Sequence, residues 1–129
     1  MNGLLLDTHA FLLVFAEPLK LSTEARAAIE ERHRRVFISS VSIYELAFKH
    51  RLGKLDQAEI LLDDLDQQLE SRSFERLDIA HAHALTAGRL DPLHRDPFDR
   101  LLIAQALVED LELVSNEKLF DGFGVRRLW

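Results

Sequence analysis

The chain has 129 residues, of which 47% are hydrophobic and 29% are charged, with a formal net charge of -6 and no cysteine. This length and composition predict one soluble globular domain over residues 1–129 that buries most of its apolar surface. The acidic balance excludes broad, sequence-independent adhesion to nucleic acid, which needs a basic surface, but it leaves open an enzyme whose carboxylates bind divalent cations. The absence of cysteine excludes disulfides and thiolate metal sites.

The chain opens with a short apolar run over residues 3–6, which predicts a buried strand of a parallel sheet, and Asp7 follows it directly. A helix is predicted from Thr8 to Phe15, ending before Pro18. The apolar stretch is too short to span a bilayer and lacks a basic segment and a small-residue cleavage site. We therefore expect a cytoplasmic protein that makes no use of a membrane.

The rest of the chain alternates between short apolar runs and longer stretches in which apolar residues have helical spacing. Strands are predicted over 36–38, over 111–114, over 125–129 and, as an edge strand or an extended link, over 74–79. Helices are predicted after a cap at Ser22, over about 41–52, over about 57–70, over 80–87 and from Asp96 onward. This alternation predicts an α/β fold with a central parallel sheet covered by helices on both faces.

The helix that begins at Asp96 is almost wholly apolar after its first turn. Asp96 before Pro97 predicts the N-cap, and Asp99 then lies in the first turn, within the positive end of the helix dipole. Because residues 101–108 leave little polar face, we expect this helix to be central and buried. A carboxylate in its first turn is therefore either a cap or a ligand.

Four carboxylates are predicted to meet at the carboxyl edge of the sheet, where parallel α/β folds form their sites. Asp7 follows the first strand, Glu45 lies on the helix after the second, Asp99 starts the central helix, and Glu117 follows the fourth strand. Carboxylates are the ligands that Mg²⁺ and Mn²⁺ prefer. Near a phosphodiester, such an ion neutralises phosphoryl charge and makes a bound water more acidic.

Each acid also has a purely structural explanation. The alternatives are a helix cap at Asp7 or Asp96, an ion pair of Glu45 with Lys49, a helix-dipole partner at Asp99 and an exposed loop residue at Glu117. No single spacing is specific, and the combination of the acids is the stronger signal.

Other kinds of site find less support. His81 and His83 are two residues apart on a predicted helix and face different sides, which disfavours a shared zinc ion, and the remaining histidines are isolated. The sequence has no P-loop, no GxGxxG motif and no GxSxG elbow.

Four blocks of the sequence resemble the PIN domain family and, within it, the VapC-like toxin ribonucleases of bacterial and archaeal toxin–antitoxin pairs. The blocks are LLLDTHAFL (4–12), SSVSIYELAFKHRLGKL (39–55), HRDPFDRLLIAQA (94–106) and LVSNEKLFDGFGVRRLW (113–129). They cover essentially the whole chain. The resemblance implies a PIN-like three-layer sandwich, with a central parallel sheet flanked by helices.

The resemblance also implies roles for individual residues. Asp7, Glu45 and Asp99 match the family's three principal acids, which makes them the expected catalytic residues and ligands of Mg²⁺ or Mn²⁺. Glu117 stands where the family usually has an aspartate, and we include it among the metal ligands, either directly or through water. Supporting roles fall to Thr8, Asp96 and Ser115.

The activity implied is that of a metal-dependent endoribonuclease, the toxin of a toxin–antitoxin pair, that forms a homodimer and binds a small antitoxin. Water rather than the ribose 2′-hydroxyl would attack, leaving a 5′-phosphate and a 3′-hydroxyl. The expected RNA-phosphate contacts are Lys49, Arg95 and Arg100, in a rim with Arg51, Lys54 and His94. The alternatives are a solvated charged face for the rim, and for the protein a PIN nuclease of RNA processing or structured DNA, or an inactive PIN domain that binds RNA or protein.

Overall fold

Five short strands form the centre of the computed structural model, which describes residues 2–91 and 94–129. The strands are β1 (Leu4–Leu6), β2 (Val36–Ser39), β3 (Glu75–Leu77), β4 (Glu112–Val114) and β5 (Arg127–Leu128). All neighbouring strands are parallel, in the order β3-β2-β1-β4-β5. The stretch over 74–79 is therefore an edge strand, and the strand predicted over 125–129 is shorter than expected.

The helices lie between the strands, close to their predicted positions. They are α1 (Thr8–Ala16), α2 (Thr23–Glu30), α3 (Ser40–Arg51), α4 (Glu59–Asp63), α5 (Leu65–Ser71), α6 (His81–Gly88) and α7 (Pro97–Val108). Short 3-10 helices occupy Pro18–Lys20, Asp56–Ala58 and Lys118–Phe123. Within the described ranges, no helix is both long enough and apolar enough to cross a bilayer.

The prediction of one continuous helix over 57–70 is wrong. Asp64 has φ -137° and ψ 44°, outside the helical region, and it separates α4 from α5. Aspartate is a poor residue for a helix interior, because its carboxylate competes for backbone hydrogen-bonding groups. The apolar stripe survives the break, since Leu61 and Leu69 are both buried in the core.

Helices cover both faces of the sheet, as the contacts of β1 demonstrate. Leu4 and Leu6 pack into one core cluster with Phe11 of α1. Leu5 points the other way, into a second cluster that includes Leu102 of α7. Because side chains alternate along a strand and both faces are covered, every residue of β1 is apolar. The predicted α/β sandwich is confirmed.

The register of β1 against β4 positions two polar residues at one edge of the sheet. Leu6 pairs with Val114, so Asp7 and Ser115 follow side by side at the ends of their strands. The Asp7 N–H donates to the Val114 carbonyl at 3.0 Å, which fixes this alignment. Both Asp7 and Ser115 are buried.

Candidate functional site

A cavity of about 170 Å³ opens at the carboxyl edge of the sheet. Three of its carboxylates come from distant parts of the sequence: Asp7 precedes α1, Glu45 lies on α3, and Asp99 lies in the first turn of α7. The full lining consists of Asp7, Thr8, His9, Glu45, Asp99, Asn116, Glu117 and Phe120. The structure thus brings together the four acids that the sequence directs to this edge.

Asp7 caps α1 and also borders the cavity. Its Oδ1 accepts a hydrogen bond from the Ala10 N–H at 2.7 Å, and the residue is only 7% exposed. Burial raises the pKa of Asp7 above its usual 3.8, and the Asp99 carboxylate adds to the rise, whereas the Ser115 hydroxyl and the Ala10 N–H oppose it. The cap uses Oδ1 and not the second carboxylate oxygen, Oδ2.

Glu45 is held from two sides. The Thr8 hydroxyl donates to its Oε1 at 2.6 Å, and the Lys49 ammonium donates to its Oε2 at 2.5 Å. The Ser42 hydroxyl oxygen lies 3.0 Å from that of Thr8 and extends this network. Glu45 is buried, so Lys49 supplies the charge that compensates a carboxylate withdrawn from water. The predicted pairing with Lys49 and the position at the cavity are therefore both present.

Asp99 contacts a histidine that precedes α7. Its Oδ2 lies 2.9 Å from Nε2 of His94. Burial raises the pKa of Asp99 above its usual 3.8, with further increases from the carboxylates of Asp96 and Glu45, while His94 lowers it. The acids of the cavity therefore repel one another, and the protein compensates their charge only in part.

Two other predicted acids act as caps. Asp96 is exposed, and its Oδ1 accepts from two backbone N–H groups in the first turn of α7, at 2.9 and 3.4 Å. Glu117 caps the 3-10 helix Lys118–Phe123 through Oε1 at 3.2 Å, yet it also lines the cavity. Ser115 supports this segment, because its hydroxyl oxygen accepts from the Glu117 N–H at 3.0 Å.

The three cations predicted to contact RNA have different surroundings. Arg95 is exposed just before α7, and Lys49 is partly exposed beside Glu45. The Arg100 guanidinium donates to the backbone carbonyls of Ala87, Leu90 and His94, at 3.0, 3.0 and 3.1 Å. These bonds tie the segment before α7 to the end of α6. Arg100 therefore has a structural set of partners, and its contact with RNA stays a prediction.

Two histidines have positions at the site that the sequence prediction did not give. His9 lines the cavity from the first turn of α1, and His94 contacts Asp99. Neither has the spacing of a metal ligand, so the only signal in the sequence is proximity to an acid: Asp7 for His9 and Asp99 for His94.

The donor set fits a hard divalent cation in its chemistry, because all the principal donors are carboxylate oxygens. Among residues 2–91 and 94–129, no group of three or more histidine, aspartate and glutamate side chains is arranged closely enough to hold an ion. Both oxygens of Glu45 already accept hydrogen bonds, from Thr8 and Lys49. A cation would therefore compete with the Lys49 ammonium for this carboxylate.

Known proteins resemble this chain over nearly its full length. Residues 4–124 match the PIN domain family. Ribonuclease VapC22 from Mycobacterium tuberculosis (strain ATCC 25618 / H37Rv) is 31% identical over 119 residues, which are 92% of this chain and 89% of the relative.

Two solved structures share the fold. VapBC2 from Rickettsia felis, bound to a DNA fragment from its promoter, superimposes with a TM-score of 0.69 at 21% identity, over 97% of this chain and 96% of the other. FitAcB from Neisseria gonorrhoeae gives a TM-score of 0.65 at 20% identity, over 98% and 96% of the two chains. The family resemblance of the four sequence blocks is thus confirmed, and the chain belongs to the PIN domain family.

Proposed function

We propose that this chain is an endoribonuclease and the toxin of a toxin–antitoxin pair. The observation that carries the proposal is the convergence of Asp7, Glu45 and Asp99 on one small cavity. The relative at 31% identity is a named ribonuclease. A toxin–antitoxin complex from Klebsiella pneumoniae also shares the fold, with a TM-score of 0.59 at 20% identity over 95% of this chain and 93% of the other.

In this proposal Asp7, Glu45 and Asp99 hold Mg²⁺ or Mn²⁺, with Glu117 directly or through water. When bound, the ion neutralises charge on the phosphoryl oxygens and makes water a better nucleophile at neutral pH. The raised pKa values of Asp7 and Asp99 support this assignment, because a cation relieves the repulsion between the carboxylates.

Neighbouring side chains position the acids. The Thr8 hydroxyl orients Glu45, and His94 orients Asp99, as partners behind a ligand commonly do. Asp96 and Ser115 support the site through the backbone. Asp96 caps α7, and Ser115 holds the segment at Glu117.

Lys49, Arg95 and Arg100 are the proposed contacts for the RNA backbone, and the first two are the more accessible. Lys49 neutralises Glu45 when no cation is bound, and an ion that takes its place leaves the ammonium beside the cavity for a phosphate oxygen. Arg95 is exposed next to the first turn of α7. Phosphate contacts of this kind set the position of the substrate but not its sequence.

Cleavage of total RNA tests the proposal directly. Metal-stripped protein, freed of any copurified antitoxin, is incubated with total RNA before and after addition of Mg²⁺ or Mn²⁺, beside an Asp99→Asn control. We expect discrete fragments with 5′-phosphate and 3′-hydroxyl ends that require both metal and Asp99. Fragments with 2′,3′-cyclic phosphate ends would contradict attack by water, and folded protein that cuts nothing with either ion would contradict the nuclease.

The proposed partners are a small antitoxin and a second copy of the chain. Expression of the protein alone is expected to arrest bacterial growth, and co-expression of a small neighbouring gene product is expected to relieve the arrest. Light scattering is expected to give the mass of two chains. Growth that continues despite accumulation of folded protein would contradict the toxin.

The second candidate function is a catalytically weak or inactive PIN domain that binds RNA or protein. One observation favours it: both oxygens of Glu45 are occupied by protein donors, and one oxygen of Glu117 is used as a cap. Metal binding distinguishes the two candidates, because a nuclease site is expected to be stabilised by Mn²⁺ whereas an inactive module need not be.

A further inference from the structure

Three aromatic side chains form a partly exposed cluster on the two helices that carry Glu45 and Asp99. Tyr44 and Phe48 on α3 are stacked, with ring centroids 5.9 Å apart and planes inclined by 4°. Phe98 of α7 lies 5.7 Å from Tyr44, centroid to centroid. Tyr44 is 59% exposed and Phe48 is 45% exposed. Because a contiguous apolar patch on a protein surface commonly marks a binding site, this aromatic cluster is a candidate binding surface.

The aromatic cluster shares both of its helices with the proposed metal ligands. Tyr44 directly precedes Glu45 on α3, and Phe98 directly precedes Asp99 on α7. In each pair, the acid lines the cavity while its neighbour belongs to the aromatic cluster. The aromatic cluster and two of the proposed metal ligands are therefore fixed relative to one another by the same two helices.

The remainder of α3 is positively charged, although the whole chain has a net charge of -6. Arg51 lies on the stripe of Tyr44 and Phe48, because residues three, four and seven apart share a helix face, and it is exposed. From residue 46 to residue 55 the titratable side chains are Lys49, His50, Arg51 and Lys54, without any acid. Aromatic rings interleaved with cations are the usual surface for single-stranded nucleic acid, since bases stack on the rings and phosphates meet the cations.

We propose that Tyr44, Phe48 and Phe98 form a stacking surface for unpaired bases that flank the cleaved bond, with Arg51 contacting the RNA backbone. This inference rests on the proposed ribonuclease function and names the form of its substrate. A single strand is favoured over a duplex, because the faces of paired bases are covered by their neighbours in the helix. A second copy of the chain fits this surface less well, since a symmetric contact would bring two positively charged stripes together.

Binding of normal and abasic RNA tests the stacking surface. A short unpaired oligoribonucleotide is compared with the same strand lacking the bases next to the central phosphate, in the Asp99→Asn background so that neither is consumed. We expect the normal strand to bind more tightly by about 5- to 150-fold for each stacked base. Tyr44→Ala and Phe48→Ala should reduce this ratio towards one.

Two further variants separate stacking from general apolar contact. Tyr44→Phe keeps the ring and should retain the ratio, whereas Tyr44→Leu keeps apolar area without a ring and should lose it. Leu52→Ala is the matched control, because Leu52 is 52% exposed at the C-cap of α3 but is not aromatic, and the ratio should not change in this variant.

Equal binding of the two strands, or an unchanged ratio in Tyr44→Ala and Phe48→Ala, would overturn the stacking surface. A changed oligomeric mass or lost antitoxin binding in these variants, with the ratio intact, would overturn it in favour of a protein interface. A parallel assay of the wild-type protein on total RNA distinguishes failure of the stacking surface from failure of the proposed ribonuclease function. Metal-dependent cleavage with an unaltered ratio contradicts the stacking surface alone, while failure both to cleave and to bind RNA contradicts the proposed function itself.

Discussion

Asp7 and Asp99 of the cavity and Glu75 at the surface have opposite pKa shifts. At the edge strand β3, Glu75 accepts two hydrogen bonds from Arg35, each of 2.6 Å, and these hold the pKa of Glu75 below its usual 4.5. In the cavity, burial and neighbouring acids raise the pKa values of Asp7 and Asp99. An acid whose pKa rises on folding lowers stability at neutral pH, and one whose pKa falls increases it.

The difference indicates what each group of acids contributes. The surface pair of Arg35 and Glu75 links the start of β2 to β3, and the charge of Glu75 is neutralised within the chain. Asp7 and Asp99 lower the stability of the metal-free fold at neutral pH, and this cost is typical of residues retained for binding or catalysis. The experiments below test this difference between the two groups of acids.

The largest expected effect is on cleavage by Asp99→Asn. Loss of one carboxylate from a cation site removes several kcal/mol of transition-state stabilisation, so we expect cleavage of RNA to fall by more than about 100-fold. The free energy of unfolding of the metal-free protein should stay the same or rise, because asparagine removes a charge that other acids repel. Gel-based cleavage rates and urea unfolding measure the two effects, with Glu75→Gln as an active control. Loss of stability together with intact cleavage would mean that Asp99 stabilises the fold and is not needed for cleavage.

The second effect is stabilisation by Mn²⁺. At a free concentration of 100 times Kd, an ion that binds only the folded state increases the free energy of unfolding by about 2.7 kcal/mol. Thermal unfolding with and without Mn²⁺ measures it, and Asp99→Asn should show much less.

The same stabilisation should depend on pH with a defined sign. The contribution of Asp7 and Asp99 to the metal-free fold is fully present below the unfolded pKa of 3.8 and is lost as the pH rises through their raised folded values. Cation binding requires the ionised acids, so the benefit from Mn²⁺ should grow over that window. If the stabilisation by Mn²⁺ does not change with pH, the ion binds elsewhere.

The third effect compares two arginines, of which Arg100 is bonded to the backbone and Arg95 is exposed. Arg100→Ala removes the donors to the backbone carbonyls at the end of α6 and before α7, and is expected to lower the free energy of unfolding by about 2 kcal/mol. Arg95→Ala, at an exposed position, should change it by no more than about 0.5 kcal/mol. Arg95→Ala should instead reduce the salt dependence of RNA binding by about one unit of slope. The opposite pattern in the two variants would mean that Arg100, and not Arg95, contacts the RNA backbone.

The smallest effect is expected for Glu75→Gln. Exposed ion pairs contribute little and are screened by salt, so the loss of stability should be a small fraction of that in Arg100→Ala and should vanish at high salt. Because the pKa of Glu75 is lowered, its contribution is present above pH 4.5 and is lost as the pH falls through the folded value. Urea unfolding at low and high salt measures it, and a loss that persists in high salt would mean that Glu75 has a packing role.

Strong local patterns made the centre of the fold predictable from sequence. β1 is recognisable because burial on both faces leaves it wholly apolar, and the start of α7 because Asp96 and Pro97 specify a cap and a first turn. The convergence of Asp7, Glu45 and Asp99 follows from strand order, since the carboxyl ends of parallel strands share one edge.

Features that depend on three-dimensional packing were not predictable. The break at Asp64 interrupts a stripe of apolar residues whose spacing is helical throughout. The partners of Arg100 are backbone carbonyls, whose positions depend on the path of the chain rather than on residue type. His94 meets Asp99 only because the segment before α7 folds back on the first turn of that helix.

The order of the strands also has a consequence for when the protein becomes active. Leu4 of β1 pairs with Glu112 of β4, and the cavity takes residues from both Asp7 and Phe120. On the ribosome, β1 must therefore wait until residues 112–114 emerge before it can pair with its second neighbour, and a nascent chain that ends before β4 has no complete cavity. If the protein is the proposed toxin, a nascent chain cannot cut RNA until the segment from β4 to Phe120 has been made.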